Sequence, residues 1–207
     1  MTRHLTVAGI FAHLGAMCFA VLGAGGCGAT LPDYDYSKEP NPKNMEYVLG
    51  VSDSININVW DQGNLSTKAT IRPDGTVTMP LVGDLEAEGK TPTELKGMIA
   101  KKLANFLQEI PEITISVDQW ASYRFTVSGE VNSPGIIESA RYVRIDEAIA
   151  MAGGLTRFAN KNQMVLTRTD PKTGDIRRIP LAYDPIVKGE RPDMNLYLLR
   201  GDTLHVP

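Results

Sequence analysis

The sequence predicts an α+β chain of two small units in series, a β-β-α-β unit followed by a mostly stranded one. Three observations predict it. Two runs alternate apolar and polar residues, Ile55-Asn56-Ile57-Asn58-Val59 and Ile113-Thr114-Ile115-Ser116-Val117, and each reads as a half-buried strand. Between them Leu95, Met98, Ile99, Leu103, Phe106, Leu107 and Ile110 recur at helical steps, behind a Thr91-Pro92-Thr93-Glu94 capping box. Beyond Asp118 the chain shows strands and turns around one short helical pattern, Ile145, Ala148, Ile149 and Ala152.

The 207 residues are 43% hydrophobic and 22% charged, a globular composition with room for one or two small domains. A formal net charge of -3 leaves no basic surplus to meet phosphates, which argues against a nucleic-acid partner. Pairs such as Lys101-Lys102 and Arg177-Arg178 read as solvated faces.

The first 26 residues read as a targeting segment. Arg3 supplies the positive start, Leu5 to Leu22 the apolar run, and small residues lead to Cys27. Leu22-Gly23-Ala24-Gly25-Gly26-Cys27-Gly28 resembles a bacterial lipoprotein processing site, with Ala24 where such sites usually carry leucine. That resemblance implies lipidation at Cys27, and Gly28 after the cysteine implies outer-membrane delivery rather than inner-membrane retention. Removal of the leader would take Cys18, His4 and His13 with it. One terminal imidazole, His205, then remains, so no disulfide, cysteine metal cluster or cofactor site is expected, and the catalytic inventory is thin.

Residues 27–46 are rich in Pro, Asp, Asn and Tyr without an apolar period, and read as a flexible tether. The first unit is expected over 47–120. Asp53 caps a turn into the strand that starts at Ser54, and Trp60, on the polar side of that pattern or just past it, reads as an aromatic at a domain seam, with an exposed sugar-stacking platform as the other reading. In Arg72-Pro73-Asp74-Gly75-Thr76-Val77-Thr78-Met79-Pro80-Leu81-Val82-Gly83, Asp74-Gly75 is a turn. Pro80 cannot donate to a ladder, so its strand should lie on a sheet edge or carry a bulge. The periodic helix is expected to run from Leu95 to Ile110, where Pro111 stops it.

The second unit is expected over 121–207. Tyr123 to Val131 reads as a strand, and Ser133-Pro134-Gly135 as a type II turn. The short helix ends at Gly153-Gly154, where a left-handed cap is needed. Those glycines close a helix instead of opening one, which argues against a phosphate loop. Met164–Thr169 and Ile176–Leu181 form a hairpin. The terminal Gly201-Asp202-Thr203-Leu204-His205-Val206 echoes Ser52-Asp53-Ser54-Ile55-Asn56-Ile57, a turn, an Asp, then alternation.

The wording of these segments adds to their physics. R-P-D-G-x-V-x-x-P-x-x-G at 72–83 resembles the export domain of the outer-membrane polysaccharide export family. Phe125 to Gly135, Arg144 to Leu155 and the terminal R-G-D-T-L-H-V-P resemble a soluble-ligand-binding β-grasp (SLBB) domain. The resemblance covers Tyr47 to Pro207, and its family motif takes in Asp53, Trp60, Arg72, Asp74, Gly75, Pro80, Gly83, Gly129, Pro134, Gly135, Gly153, Gly154 and Asp202. It implies a β-grasp-like second domain and a periplasmic, lipid-anchored ring of identical subunits that passes capsule or exopolysaccharide. It also implies an inner-membrane polysaccharide co-polymerase/tyrosine kinase upstream. Longer family members continue into a membrane-crossing helix. This chain ends at Pro207, so a separate outer-membrane β-barrel is expected. Channel-lining candidates are Gln119, Trp120 and the 62–70 loop. Two other readings stand beside it: a periplasmic glycan-binding or sensing module without transport, and a carbohydrate-active enzyme using Asp53 and Asp74 as acid and base.

Overall fold

The computed structural model describes residues 33–170 and 173–207, so the leader and Cys27 lie outside the described residues. Strand β1 (Ser54–Val59) is the centre of a three-stranded antiparallel sheet, between β2 (Thr67–Thr70) and β5 (Ile113–Gln119). Its alternation puts Ile55, Ile57 and Val59 inside and Asn56 and Asn58 in solvent. The 62–70 stretch, expected to be a loop, supplies β2 instead. As an edge strand with one partner, Thr67-Lys68-Ala69-Thr70 needs no apolar face, which is why the pattern missed it.

Strands β3 (Thr76–Met79) and β4 (Gly83–Glu86) form a two-stranded hairpin. β3 stops one residue before Pro80, so the missing amide costs the ladder nothing. Helix α1 (Pro92–Leu103) carries both halves of its capping box, with Glu94 N on Thr91 Oγ1 at 3.2 Å and Thr91 N on Glu94 Oε2 at 2.8 Å. Leu95, Ile99 and Leu103 are fully buried against the sheet. The helix does not reach Ile110. Asn105 N and Phe106 N bond three residues back, to Lys102 O and Leu103 O, tightening the last turn. Phe106 and Ile110 consequently turn out to solvent.

The second unit contains β6 (Arg124–Gly129), β7 (Gly135–Glu138), α2 (Ile145–Met151), β8 (Met164–Thr169), β9 (Ile176–Leu181), α3 (Tyr183–Val187) and β10 (Thr203–Val206). Its five-stranded sheet has the order β7-β6-β10-β8-β9. The last strand is inserted at the centre, parallel to β6 and antiparallel to β8. α2 lays Ile145, Ala148 and Ile149 into this core. Gly153 and Gly154 follow at φ 77° and 84°, the left-handed geometry expected there.

The type II turn expected at Pro134-Gly135 is not formed. Gly135 is not among the positive-φ residues, and it opens β7 opposite Val127. The glycine that the fold demands is Gly129, at φ 90°, where an added Cβ would stand 1.9 Å from the Val206 carbonyl oxygen. Each unit has its own core: one gathers Leu49, Ile55, Ile57, Val77, Leu95 and Ile99, the other Phe125, Val127, Ile145, Leu166, Leu181 and Leu204.

From Asp33 onward the flexible tether is also corrected, because this stretch is a strap docked on the second unit. Tyr36 is buried in that unit's core and its phenol donates to Pro180 O at 2.5 Å. Two short 3₁₀ turns, capped by Asp35 and Asn41, keep its backbone bonded. The physical reason is aromatic and ionic: Tyr36 brings apolar area, and Glu39 meets arginines far downstream in the chain.

Candidate functional site

The two units meet around one carboxylate. Asp53 is fully buried, and its oxygens accept from Gly50 N (2.9 Å), Tyr47 Oη (2.7 Å), Ser122 N (2.7 Å) and Ser122 Oγ (2.8 Å). Ser122 lies in the short connection between β5 and β6, so this one side chain ties the connection to the start of the first unit. The Tyr47 phenol is pushed up in pKa, by burial first and by the Asp53 carboxylate next to it. From the other side, Arg200 Nη1 donates to Leu49 O at 3.3 Å. Gly50 leaves room for it: an added Cβ would meet that guanidinium at 1.8 Å and Ser122 at 2.6 Å.

A row of aromatic rings runs along this seam. Tyr47 stacks on Trp120 at 4.9 Å and 22°, Trp120 meets Tyr142 at 5.6 Å, and Tyr142 meets Tyr123 edge-on at 5.5 Å. Trp120 is therefore the seam aromatic. Trp60, expected in that place, is 72% exposed at the end of β1. The reason is register: Trp60 falls one residue past the last inward position, Val59, on the outward phase of the strand.

Beside the aromatic row opens a cavity of about 390 Å³, lined by Pro42, Met45, Tyr47, Tyr142, Arg177 and Arg200 among others. Two of its lining residues, Arg168 and Arg177, belong to an ionic cluster whose carboxylates lie behind the wall. Arg168 donates to both oxygens of Asp202 at 2.6–3.2 Å and to Glu39 at 2.8 Å, while Arg177 reaches Glu39 at 3.1 Å. The side chains of Arg168, Glu39 and Asp202 are at most 2% exposed. Burial lifts the Asp202 carboxyl above the ordinary aspartate range, and the Arg168 guanidinium pulls against that lift. This cluster holds the strap to β8 and to the turn before β10.

The R-P-D-G motif forms a second, exposed cluster on the β3–β4 hairpin. Arg72 spans Asp74 and Asp84, each at 3.3 Å, and donates to Thr78 Oγ1 at 2.9 Å and to Thr76 Oγ1. Hydrogen bonds from Thr76 and Thr78, with Arg72 beside them, hold the Asp74 and Asp84 carboxyls below their ordinary range. Gly75 turns at φ 77° and Gly83 at φ 72°, with Pro80 and an exposed Leu81 at φ 62° forming the tip. Pro134 leads into β7 at the far edge of the second sheet.

Asp53 and Asp74 therefore belong to different networks, one buried and saturated with donors, the other exposed and paired, and the two are not an acid-base couple. His205 is exposed with Nδ1 3.1 Å from Ser128 Oγ. Among the described residues no group of three or more metal-ligating side chains is assembled, and no helix is long and apolar enough to cross a membrane. The strap contacts and the role of Tyr142 were missed by sequence reasoning; the run of tyrosines at 34–47 was the one signal that the strap had something to bury.

Residues 41–118 match the model of the polysaccharide biosynthesis/export protein family, and residues 124–180 match that of the SLBB domain. The chain is 32% identical over 127 residues to the exopolysaccharide production protein ExoF of Rhizobium meliloti, covering 56% of this chain and 30% of that one. It is 26% identical over 175 residues to the capsule polysaccharide export outer membrane protein CtrA of Neisseria meningitidis, covering 75% and 43%. With the EPS I polysaccharide export outer membrane protein EpsA of Ralstonia nicotianae the identity is 27% over 190 residues, covering 79% and 48%. The chain thus spans less than half the length of these relatives. With the export-protein model and the SLBB model matched in this order, the chain belongs to the polysaccharide biosynthesis/export protein family.

Proposed function

We propose that this chain is a non-catalytic subunit of a periplasmic conduit for capsule or exopolysaccharide, anchored to the outer membrane by a lipid on Cys27. The observation that carries the proposal is the pair of matched domains in order, in a chain whose relatives are named for polysaccharide export. The export domain occupies 47–120 and the SLBB domain 121–207. Identical copies close into a ring. The motif residues serve turn geometry and packing between copies, with exposed Trp60, the Leu81 tip and the β7 edge on the contacting faces. Polymer arrives from an inner-membrane co-polymerase/tyrosine kinase and leaves through an outer-membrane β-barrel. The seam supports this, since Asp53 and Arg200 make one body of two domains, as a wall element requires.

The cavity beside Tyr142 favours a second reading, a glycan-binding module without transport. A deletion strain separates them, with polysaccharide measured at the cell surface and inside the envelope. Loss of surface polymer with accumulation inside supports the conduit. Unchanged surface polymer sinks it.

A further inference from the structure

We propose that the seam cavity is a saccharide site, in which one sugar ring stacks on Tyr142 and hydrogen-bonds its phenol and the Arg200 guanidinium. This rests on the polysaccharide reading above and gives it an address. The cavity volume, about 390 Å³, lies within the roughly 300–1,000 Å³ range of small-molecule sites. Its walls are chiefly apolar and aromatic, with Pro42, Met45, Tyr47 and Tyr142 facing it. Sugar rings present C–H faces to such surfaces and hydroxyls at their edges. The polar groups needed at those edges are present. Tyr142 is half-buried, and its hydroxyl, unbonded among the described residues, is not sealed from solvent and can meet a ligand. Arg200 spends one contact on Leu49 O and keeps further N–H donors at the rim. Arg177 stands beside it, its Nη1 engaged by Glu39.

Of the two acidic residues in the lining, Glu46 and Asp170, the first is tied back. Glu46 is held away by Thr93, accepting from its N at 3.0 Å and its Oγ1 at 2.8 Å. The walls come from the strap, the start of the first unit, the connection between the units, the loop of Tyr142, the β8–β9 hairpin and the turn before β10. A ring bound here would touch both domains at once, so occupancy would stiffen the seam.

The protein carries two tryptophans, and Trp120 lies 5.6 Å from the Tyr142 ring. In a full-length Trp60→Phe background Trp120 becomes the sole tryptophan reporter. Short oligosaccharides cut from the host's own surface polysaccharide are titrated against it, with an unrelated neutral oligosaccharide as control. We expect a saturable change in emission. Tyr142→Phe should retain affinity within about threefold, and Tyr142→Ala should lose it by roughly tenfold. A flat titration, or an alanine variant that binds as its parent does, overturns the site. Should the alanine variant melt early, Tyr142→Leu keeps the apolar volume and repeats the comparison. The deletion strain reads separately: if deletion blocks export while Tyr142→Ala binds normally, the site fails and the conduit stands. If deletion leaves export intact while binding follows Tyr142, the site stands and the conduit fails.

Discussion

Asp53 and Asp202 occupy the same turn, built once in each unit. Each carboxylate takes the amide of the residue three positions earlier, Gly50 N at 2.9 Å and Leu199 N at 2.7 Å. Each backbone amide returns to the same residue's carbonyl, both at 3.1 Å. The residue before each aspartate is left-handed, Ser52 at φ 76° and Gly201 at φ 81°. The two copies have then been put to different ends: Asp53 fastens the connection between the units, and Asp202 receives the arginine that holds the strap.

Removing the first of these carboxylates should loosen the seam. Asp53→Ala strands the amides of Gly50 and Ser122 in a buried place, and should cost about 3 kcal/mol by urea denaturation. Ser52→Gly should act in the opposite direction, stabilising by about 0.5–1 kcal/mol, because the left-handed backbone there costs a side chain and not a glycine. Equal stability of parent and Ser52→Gly would contradict this account of the turn.

The strap makes a sharper claim. Glu39→Ala leaves Arg168 buried beside Asp202 with its second carboxylate gone and frees Arg177. The expected loss is about 3 kcal/mol or more, with earlier proteolytic cleavage between residues 34 and 46. A free tether would show neither change.

Gly129→Ala should fail more severely than any surface change. Its Cβ would meet a backbone carbonyl, that of Val206, at 1.9 Å on a backbone of φ 90°. A rigid neighbour cannot yield as a side chain can, so a loss of roughly 4 kcal/mol, or no soluble protein, is expected. Gly97→Ala, where an added Cβ meets nothing within 4 Å, is the control and should stabilise α1 by about 0.5–1 kcal/mol.

Acid should weaken the β3–β4 hairpin first. Asp74 and Asp84 have folded-state values below their ordinary ones, so their support is complete above about pH 4 and is lost as pH falls through the lowered values. Hydrogen exchange should show β3 and β4 amides losing protection on acidification ahead of β1 and β5. An Asp74→Asn, Asp84→Asn double variant should flatten that dependence. An unchanged pH profile in the double variant would assign the effect elsewhere.

The sequence by itself determined the elements whose causes are local. The alternation of β1 and β5, the Thr91 capping box, the glycines that end α2 and the β8–β9 hairpin each depend on residues a few positions apart. The R-P-D-G and R-G-D-T-L wordings carried the family for the same reason, being short turn-and-strand segments. Tertiary structure decided the rest. β2 exists because β1 offers it an edge, and α1 stops at Leu103 because its backbone tightens there into three-residue bonds while Leu107 still packs on the core. Trp120, rather than Trp60, faces the seam because one residue of strand phase separates inside from outside. Glu39 finds Arg168 across 129 positions and Asp53 finds Ser122 across 69. A buried charge is acceptable only with its partner, and no local pattern in the chain announces a partner that folding alone brings near.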